Sequence, residues 1–270
     1  MEILGYLASI FIGVSLGMIG SGGSILTVPV LVYLMNINPL LATTSSLFIV
    51  GTTSLVGGLR AYSRKLVEFK AVTEFGIPSI FSIFVTRHYI LPSLPARLFT
   101  VGDLAISKEM FLMVVFAILM LGSAISMIAN RDESKIPGFS DANRQSRSLP
   151  LVFLGLVIGV VTGLLGAGGG FLIIPSLVLF LKLPMKTAVG TSLLIIAINS
   201  LFGFLFSLKQ FEYNWTILLL FTVLAIAGVF IGSKLAAKIP GTSLKRGFGV
   251  FVLIMSIYIL AKELLLKTSH

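Results

Sequence analysis

The sequence predicts an all-α polytopic membrane protein with about eight transmembrane segments, arranged as two homologous repeats of four segments each. Hydrophobic residues make up 56% of the 270-residue chain and charged residues only 11%, and the mean hydropathy is +1.06. Such a composition is typical of a chain that folds in lipid. On a scale of roughly 20 apolar residues per span, eight apolar blocks can be distinguished. They cover approximately residues 3–35, 40–60, 71–91, 108–129, 150–182, 186–207, 214–236 and 247–266.

A motif that occurs twice predicts the internal repeat. Residues 17–29 read GMIGSGGSILTVP, and 146 positions later residues 163–175 read GLLGAGGGFLIIP. Further along, ATTSSL in the first half corresponds to AVGTSL in the second. Similarity at a fixed offset indicates two structural halves built on one plan. We therefore predict three regions, namely a first transmembrane repeat over residues 1–130, a polar linker over 131–149 and a second transmembrane repeat over 150–270.

The first and fifth blocks are too long for one span, and each contains the glycine motif. Glycines as dense as those at 166–170 do not suit an unbroken helix, because each costs about 1 kcal/mol relative to Ala. Both segments are therefore predicted to break at the glycine-rich turn and to continue as a short helix. The second segment opens with Asn38 as an N-cap and Pro39 at the first helical position, and Pro92 and Pro95 are predicted to stop the third.

Other small and aromatic residues have predicted structural roles. Glycines that precede the turns have the small-xxx-small spacing of closely packed membrane helices. Tyr213 and Trp215 open the seventh block, where aromatic residues are typical interfacial anchors. The glycines concerned are Gly13, Gly17, Gly155, Gly159 and Gly163.

Basic residues between the apolar blocks produce the net charge of +10. In these positions they indicate membrane-flanking loops and not nucleic-acid binding. The basic loops at 60–70 and 234–246 share one face of the membrane only if each broken segment reverses the direction of the chain. Because positive loops are typically cytoplasmic, this pattern favours inverted repeats.

The glycine turns are the predicted binding site. A helix break inside the bilayer leaves backbone N–H groups unpaired, which is tolerated where they line a cavity or meet a ligand. At the start of the following half-helix such groups can bind an anion, and paired breaks in two halves are typical of transporters. The alternative is a purely structural break. The candidate substrate-binding residues are Gly20, Ser21, Gly22, Gly23, Ser24, Thr44, Ser45, Gly166, Gly168, Gly169, Gly170, Thr191, Ser192, Asn199 and Arg87.

The charged residues favour an anionic or neutral substrate. No Asp or Glu lies well inside an apolar block, with Glu74 the nearest candidate, whereas a cation transporter is expected to place carboxylates near the midplane. Arg87, near the end of the third block, is either a snorkelling boundary residue or a direct anion ligand. The chain has no Cys and two distant His residues, so neither a metal nor a cofactor is predicted.

The doubled pattern G-x-x-G-x-G-G-G-x-x-x-x-P followed by A-x-G-T-S-L is intact in the second half as GLLGAGGGFLIIP and AVGTSL. It resembles the TauE/SafE family of sulfite and organosulfonate exporters, although the first copy departs with GSGGS and ATTSSL. The TRHYILPSLP stretch is similar to one branch of that family. The resemblance covers essentially the whole chain. It implies a homodimeric secondary transporter that crosses the cell membrane (plasma or inner membrane) several times and moves sulfite, sulfoacetate or taurine-derived anions. The paired breaks in the two halves predict that transport occurs by alternating access.

Four other functions compete with this hypothesis. A membrane enzyme is disfavoured, because the apolar blocks offer no nucleophile with a base, no metal cluster and no paired carboxylates. A non-transporting partner protein would not require duplicated breaks. An anion channel and a carrier for an unrelated small carboxylate remain open. Without an ATPase motif, any transport energy comes from gradients, and Glu74 and His88 are the chief candidates for proton coupling.

Overall fold

The computed structural model describes residues 2–20, 23–95, 97–101, 104–129, 148–166, 168–181, 183–235 and 241–263. The predicted linker lies almost entirely outside them. The helices of the first half are α1 (Glu2–Ile19), α2 (Ser24–Pro29), α3 (Pro39–Ser63), α4 (Phe69–Val85), α5 (Leu91–Ser93) and α6 (Lys108–Ala129). Those of the second half are α7 (Ser148–Leu165), α8 (Gly170–Leu181), α9 (Met185–Ser207), α10 (Trp215–Leu235) and α11 (Gly241–Ala261). Short π-helical segments, Val30–Leu34 and Thr86–Ile90, extend α2 and α4, and a 3-10 turn, Leu208–Gln210, extends α9.

The chain is a helical membrane protein. Of the helical segments that the structure describes, five are long and apolar enough to cross a membrane. Shorter apolar helices accompany them, among them the two arms of the first broken segment, Leu4–Ile19 and Ser24–Leu34. The five candidate spans are Pro39–Ser63, Phe69–Ser93, Lys108–Ile125, Lys186–Gln210 and Trp215–Leu235.

The first glycine turn reverses the chain, so that α1 and α2 form a helical hairpin. Gly5, near the start of α1, packs against Met35 beyond α2, where an added Cβ would lie 2.7 Å from Met35 Cγ. Gly23, just before α2, lies against Leu16 of α1. Gly20 has φ +86°, a left-handed conformation that glycine adopts without steric cost. The predicted break is confirmed, and it is a reversal of direction.

The second glycine turn has the same character. Gly166, Gly168 and Gly169 have φ values of +68°, +67° and +67°. Gly169 packs back against Thr162 and Ile158 of α7, as Gly23 packs against α1. The glycine density in the sequence therefore reflects backbone conformations that other residues rarely adopt.

Four helix pairs form most of the tertiary structure: α1 with α10, α3 with α9, α4 with α7, and α6 with α11. In the α3–α9 pair, Gly51 lies against Leu201 and Gly57 against Leu193, so these two helices run antiparallel. In the α1–α10 pair, a Cβ on Gly13 would clash with the Ala225 carbonyl oxygen. Glycine thus permits backbone-to-backbone contact, and the predicted packing role of the flanking glycines is confirmed.

A short β-hairpin was not predicted. Strand β1 (Arg97–Val101) pairs antiparallel with β2 (Leu104–Ser107) between α5 and α6. The prediction of the Asn38 N-cap, by contrast, is confirmed, since its side-chain Oδ1 accepts a hydrogen bond from Leu40 N at 2.9 Å. A Gly-Asp pair at 102–103 between apolar runs is the sequence signal that could have revealed the hairpin.

Candidate functional site

Arg87 is the largest fully buried side chain of the described structure, with 0% exposure. It lies in the π-helical segment Thr86–Ile90 at the end of α4, and π-helical turns are frequent at functional sites. The interpretation of Arg87 as a snorkelling boundary residue is wrong. Its guanidinium is enclosed by protein, whereas a snorkelling side chain extends to the interface.

Only one edge of the Arg87 guanidinium is paired. Nη1 donates a hydrogen bond to Thr44 Oγ1 at 2.8 Å. Nε and Nη2 are buried, and the described residues supply neither of them with a hydrogen-bond partner. These two N–H groups lie on the same side of the planar guanidinium, and we call them the open edge of Arg87. Buried charged donors without partners cost several kcal/mol, so the open edge of Arg87 is a candidate binding site.

Tyr213 adjoins Arg87 from the loop between α9 and α10. Its hydroxyl donates to the Ser207 carbonyl oxygen at 3.1 Å. Burial raises the pKa of Tyr213 to about 12, although the charge of Arg87 and a hydrogen bond with Thr44 act in the opposite direction. The phenol is therefore neutral at physiological pH and does not compensate the charge of Arg87.

A cavity of about 100 Å³ lies beside this cluster. Tyr213 and Ser45 belong to its lining, and Ser45 follows Thr44, the hydrogen-bond partner of Arg87. Most other lining residues are aliphatic or aromatic, including Leu31, Ile49 and Phe221. An apolar cavity with a few convergent polar groups is the usual form of a small-molecule site.

The second glycine turn begins next to the same cluster. A Cβ on Gly166 would clash with the carbonyl oxygen of Thr43, and a Cβ on Gly163 would lie 2.8 Å from Thr86 Cβ. Thr43 and Thr86 directly precede Thr44 and Arg87 in the chain. The end of α7 therefore packs against the residues that directly precede the two partners of the Arg87–Thr44 hydrogen bond.

Further along the second glycine turn, Gly168 packs between α3 and α9. A Cβ on Gly168 would lie 3.0 Å from Ser200 Oγ and 3.0 Å from Val50 Cγ1. The buried Ser200 hydroxyl finds no hydrogen-bond partner within the described part of the chain. Gly170 begins α8 and is buried, and α8 contacts α2.

The first glycine turn begins at the other end of the α3–α9 pair. Gly20 packs against Val189, and the next residue, Gly190, packs against Ala61. Gly166 contacts Thr43 of α3. Thr43 and Ala61 are 18 residues apart in this helix, which corresponds to about 27 Å. The structure therefore does not bring Gly20 and Gly166 together. Gly23 and Ser24 are buried at the start of α2, and Ser21 and Gly22 lie outside the described residues.

Three further predicted residues lie away from Arg87. Thr191 Oγ1 accepts a hydrogen bond from Glu68 N at 2.9 Å, and Ser192 Oγ donates to Val189 O at 2.8 Å. Asn199 Nδ2 donates to Ser79 Oγ at 2.7 Å. The first two bonds are structural, because they tie a loop to α9 and a side chain to its own helix. Asn199 Oδ1 is buried and has no partner among the described side chains and backbone.

The sequence model of the sulfite exporter TauE/SafE family matches residues 5–259. The chain belongs to this family. It is similar to a probable membrane transporter protein of Xylella fastidiosa strain Temecula1, with 29% identity over 92% of this chain and 91% of the relative. A probable membrane transporter protein of Methanocaldococcus jannaschii is 30% identical over 72% of this chain and 69% of its own length. No solved structure matches.

As a TauE/SafE protein, the chain is a multi-pass membrane protein of a transporter family and not an enzyme. The side chains of the two candidates for proton coupling have partners other than Arg87. Glu74 pairs with Lys70 at 3.6 Å, and His88 is exposed and stacks on Phe84. Over the described residues, no group of three or more His, Cys, Asp or Glu side chains could hold a metal ion.

Sequence reasoning missed two residues that the structure singles out. Tyr213 was interpreted as an interfacial anchor, yet it contacts the Arg87 cluster and lines the cavity. Glu263 is buried near the end of the last apolar block and accepts a hydrogen bond from Tyr33 at 3.0 Å. Glu263 lies inside the predicted apolar block 247–266, and a carboxylate within an apolar block is the sequence signal that could have singled it out.

Proposed function

We propose that this TauE/SafE protein is a secondary transporter that moves small anions, sulfite or organosulfonates, across the cell membrane by alternating access. The observation that carries the proposal is the buried open edge of Arg87. Nε–H and Nη2–H point in parallel from one side of the guanidinium, and this fork matches two oxygens of an oxyanion. The family description, sulfite exporter, supports a sulfur oxyanion as the ligand.

The surroundings of Arg87 also suit an anion. Arg87 has no ion pair among the described residues, and its neighbour Tyr213 is neutral at physiological pH. Thr86 and Ser207 carry buried hydroxyls for which the described residues likewise provide no partner. Hydroxyl groups of this kind are donors that can complete the shell of an oxyanion.

We propose further that residues 1–130 and 150–270 are inverted repeats, and that alternating access exchanges their conformations. Two equivalences support this proposal: α1 packs on α10 as α7 packs on α4, and Gly57 meets Leu193 as Gly203 meets Leu47. Both equivalences have the 146-residue offset of the sequence repeat. The equivalent helices α3 and α9 run antiparallel, as expected when a two-fold axis lies in the membrane plane. A homodimer is part of the same proposal.

A small carboxylate is the second candidate substrate, because its two oxygens match the same guanidinium fork. The ligand is therefore tested with a panel of sulfite, sulfoacetate, isethionate, taurine, acetate, sulfate and chloride. The measurement is the thermal stability of the detergent-purified protein at constant ionic strength. A ligand at a hundredfold excess over its Kd stabilises the folded state by about 2.7 kcal/mol.

Flux into proteoliposomes separates a transporter from a channel. We expect saturable uptake that is accelerated by unlabelled anion on the opposite side, because a carrier returns faster when loaded. Uptake that neither saturates nor shows counterflow would contradict alternating access and favour a channel. Stabilisation by acetate alone would replace the sulfur oxyanion with a carboxylate.

A further inference from the structure

We propose that Glu263 binds the proton that couples anion transport to a pH gradient, with the Tyr33 hydroxyl as its hydrogen-bond partner. This inference rests on the proposed function, in which Arg87 holds the anion and a gradient supplies the energy, since the chain has no ATPase motif. It adds a second binding site, for a proton, and names the residue that carries it.

Among the side chains that the structure describes, Glu263 is the one buried carboxylate, with 2% exposure. It lies two residues after α11 ends, inside the last apolar block of the sequence. Carboxylates in such segments are rare because burying a charge there is expensive, and they commonly belong to the proton relays of pumps and transporters. Glu74, by contrast, is partly exposed and pairs with Lys70 at 3.6 Å. Burial therefore favours Glu263 over Glu74 as the coupling residue.

Two phenols and one cation surround this carboxylate, and we call Glu263, Tyr33, Tyr258 and Lys262 the Glu263 cluster. The Tyr33 hydroxyl donates to Glu263 Oε1 at 3.0 Å. Lys262 Nζ lies 4.5 Å from the centroid of the Tyr33 ring and 5.9 Å from that of the Tyr258 ring, and the two rings meet edge to face. A proton bound to Glu263 removes the negative charge and turns an acceptor oxygen into a donor. Tyr33 is therefore the residue that senses the change directly.

The helices that pack on α11 are mainly α6, with fewer contacts from α1 and α2. Helix α2 has no ionisable residue. The ionisable residues of the other two are Glu2 and Tyr6 of α1 and Lys108 and Glu109 of α6. Lys108 Nζ donates to the carbonyl oxygens of Leu91 and Leu94. Its ammonium therefore serves the end of α5, and Lys262 is the cation that belongs to the Glu263 cluster.

Tyr33 connects the proton site with the first glycine hairpin. It lies in the π-helical segment that extends α2, and Arg87 lies in the π-helical segment that extends α4. Leu31 and Leu91, from or next to these two segments, share one buried hydrophobic cluster with Ile259 of α11, and Tyr33 packs against it. Coupling between sites is carried by contiguous packing of this kind and is reciprocal. We therefore expect proton binding at the carboxylate to change the affinity for the anion, and the reverse.

The test measures anion accumulation and proton movement in proteoliposomes, with potassium and valinomycin holding the membrane potential at zero. The probe is isethionate, whose charge is constant between pH 5 and 9, so that a pH gradient acts on it only through the protein. If isethionate is not exchanged, sulfite replaces it, with protein-free vesicles as the blank. One proton moved per anion gives about a tenfold concentration ratio for each pH unit across the membrane. We expect this ratio for the wild type, with matching proton movement reported by an internal pH dye.

Three substitutions locate the proton site. Glu263→Gln keeps an acceptor for the Tyr33 hydroxyl and cannot bind the coupling proton. We expect it to retain exchange between equal anion pools and to lose both accumulation and proton movement. Glu74→Gln, the same change at the rival carboxylate, should behave as the wild type. Glu263→Met is the second variant should Glu263→Gln not fold, because buried ionic groups are often replaced by apolar ones without loss of stability, and it should also be uncoupled.

The outcomes separate this proposal from the proposed function. Exchange of neither isethionate nor sulfite by the wild type would overturn the anion transporter and the proton site with it. Exchange without accumulation would overturn the proton site alone, as would accumulation by Glu263→Gln or Glu263→Met, or its loss in Glu74→Gln. Tyr33→Phe breaks the hydrogen bond and keeps the carboxylate. Loss of accumulation in Tyr33→Phe but not in Glu263→Gln would make the pair a structural contact.

Discussion

Arg87 Nη1 lies 2.8 Å from Thr44 Oγ1, and this hydrogen bond joins the end of α4 to the first turns of α3. It leaves a fully buried positive charge with most of its hydrogen-bonding capacity unused in the described structure. Natural proteins rarely bury Arg unless it is paired. Under our proposal, this arrangement sacrifices stability of the ligand-free protein for a site that an anion would complete.

The first prediction is that Arg87→Met separates stability from function. Replacement of buried ionic groups by apolar ones of similar volume is often stabilising by roughly 1–4 kcal/mol, so the ligand-free variant should melt at or above the wild-type temperature. Sulfite should no longer stabilise the variant, and flux should be lost. Thermal melting with and without sulfite, combined with uptake into proteoliposomes, measures both effects.

Two further substitutions control this experiment. Arg60→Met removes a guanidinium that already donates to Ser233 and lies over the Phe230 ring, and it should leave sulfite binding unchanged. Arg87→Lys keeps the charge and loses the fork, so it should bind sulfite about tenfold more weakly or worse. A destabilised Arg87→Met variant that still binds sulfite would make Arg87 a structural residue.

The second prediction concerns Thr44. Thr44→Val removes the hydrogen-bond partner of Nη1, and the loss of a hydrogen bond to a charged group costs about 1.5–3 kcal/mol. The free energy of unfolding of the ligand-free protein should fall by that amount. The matched control is Thr53→Val, because the buried Thr53 hydroxyl bonds only within its own helix, to Ile49 O and Val50 O. Equal losses in the two variants would remove Thr44 from the Arg87 site.

The local features of this fold were predictable because they depend on adjacent residues. Glycine density indicated the two breaks, and Gly20, Gly166, Gly168 and Gly169 indeed have positive φ. Asn38 before a proline indicated the cap that forms. In each case the chemistry of a few consecutive residues decides the backbone conformation, so no knowledge of the tertiary structure is needed.

The composition of the Arg87 site was not predictable in the same way. Thr44, Arg87 and Tyr213 are far apart in the chain, and only the packing of α3, α4 and the loop before α10 brings them together. An arginine near the end of an apolar block can turn inward or outward, and the block has the same pattern in both cases. Likewise, glycine density indicates that a helix breaks but not that it reverses.

The third prediction ranks three Gly→Ala variants by their effect on thermal stability. Gly166→Ala should be the most destabilising, since it combines φ +68° with a clash against the Thr43 carbonyl. Gly168 has φ +67°, and an added Cβ would lie 3.0 Å from side chains that can move. Gly168→Ala should therefore lose less thermal stability than Gly166→Ala. A Cβ added at Gly76 of α4 would have no neighbour within 4 Å. Gly76→Ala should therefore stabilise the folded protein by up to about 1 kcal/mol. A destabilised Gly76→Ala variant would contradict this ranking.

The fourth prediction is a pH effect of Tyr213. Its pKa is raised to about 12 in the folded protein, against about 10 in an unfolded chain. The neutral phenol therefore contributes stability that is complete below pH 10 and is lost as the pH rises through 12. Between pH 10 and 12 the melting temperature of the wild type should fall more steeply than that of Tyr213→Phe. Parallel curves would show that Tyr213 is solvated.

The fifth prediction tests the inverted repeats by the sidedness of two loops. If each glycine turn reverses the chain, Lys65 after α3 and Glu212 before α10 lie on opposite faces of the membrane. If each broken segment is a single crossing, the same two residues lie on one face. Both side chains are exposed, and the chain contains no Cys, so single Lys65→Cys and Glu212→Cys variants can be labelled without background.

The positive-inside tendency places the basic 60–70 loop in the cytoplasm. A membrane-impermeant maleimide added to intact cells should therefore label Glu212→Cys and spare Lys65→Cys until the cells are permeabilised, and labelling of both variants to the same extent would contradict inversion.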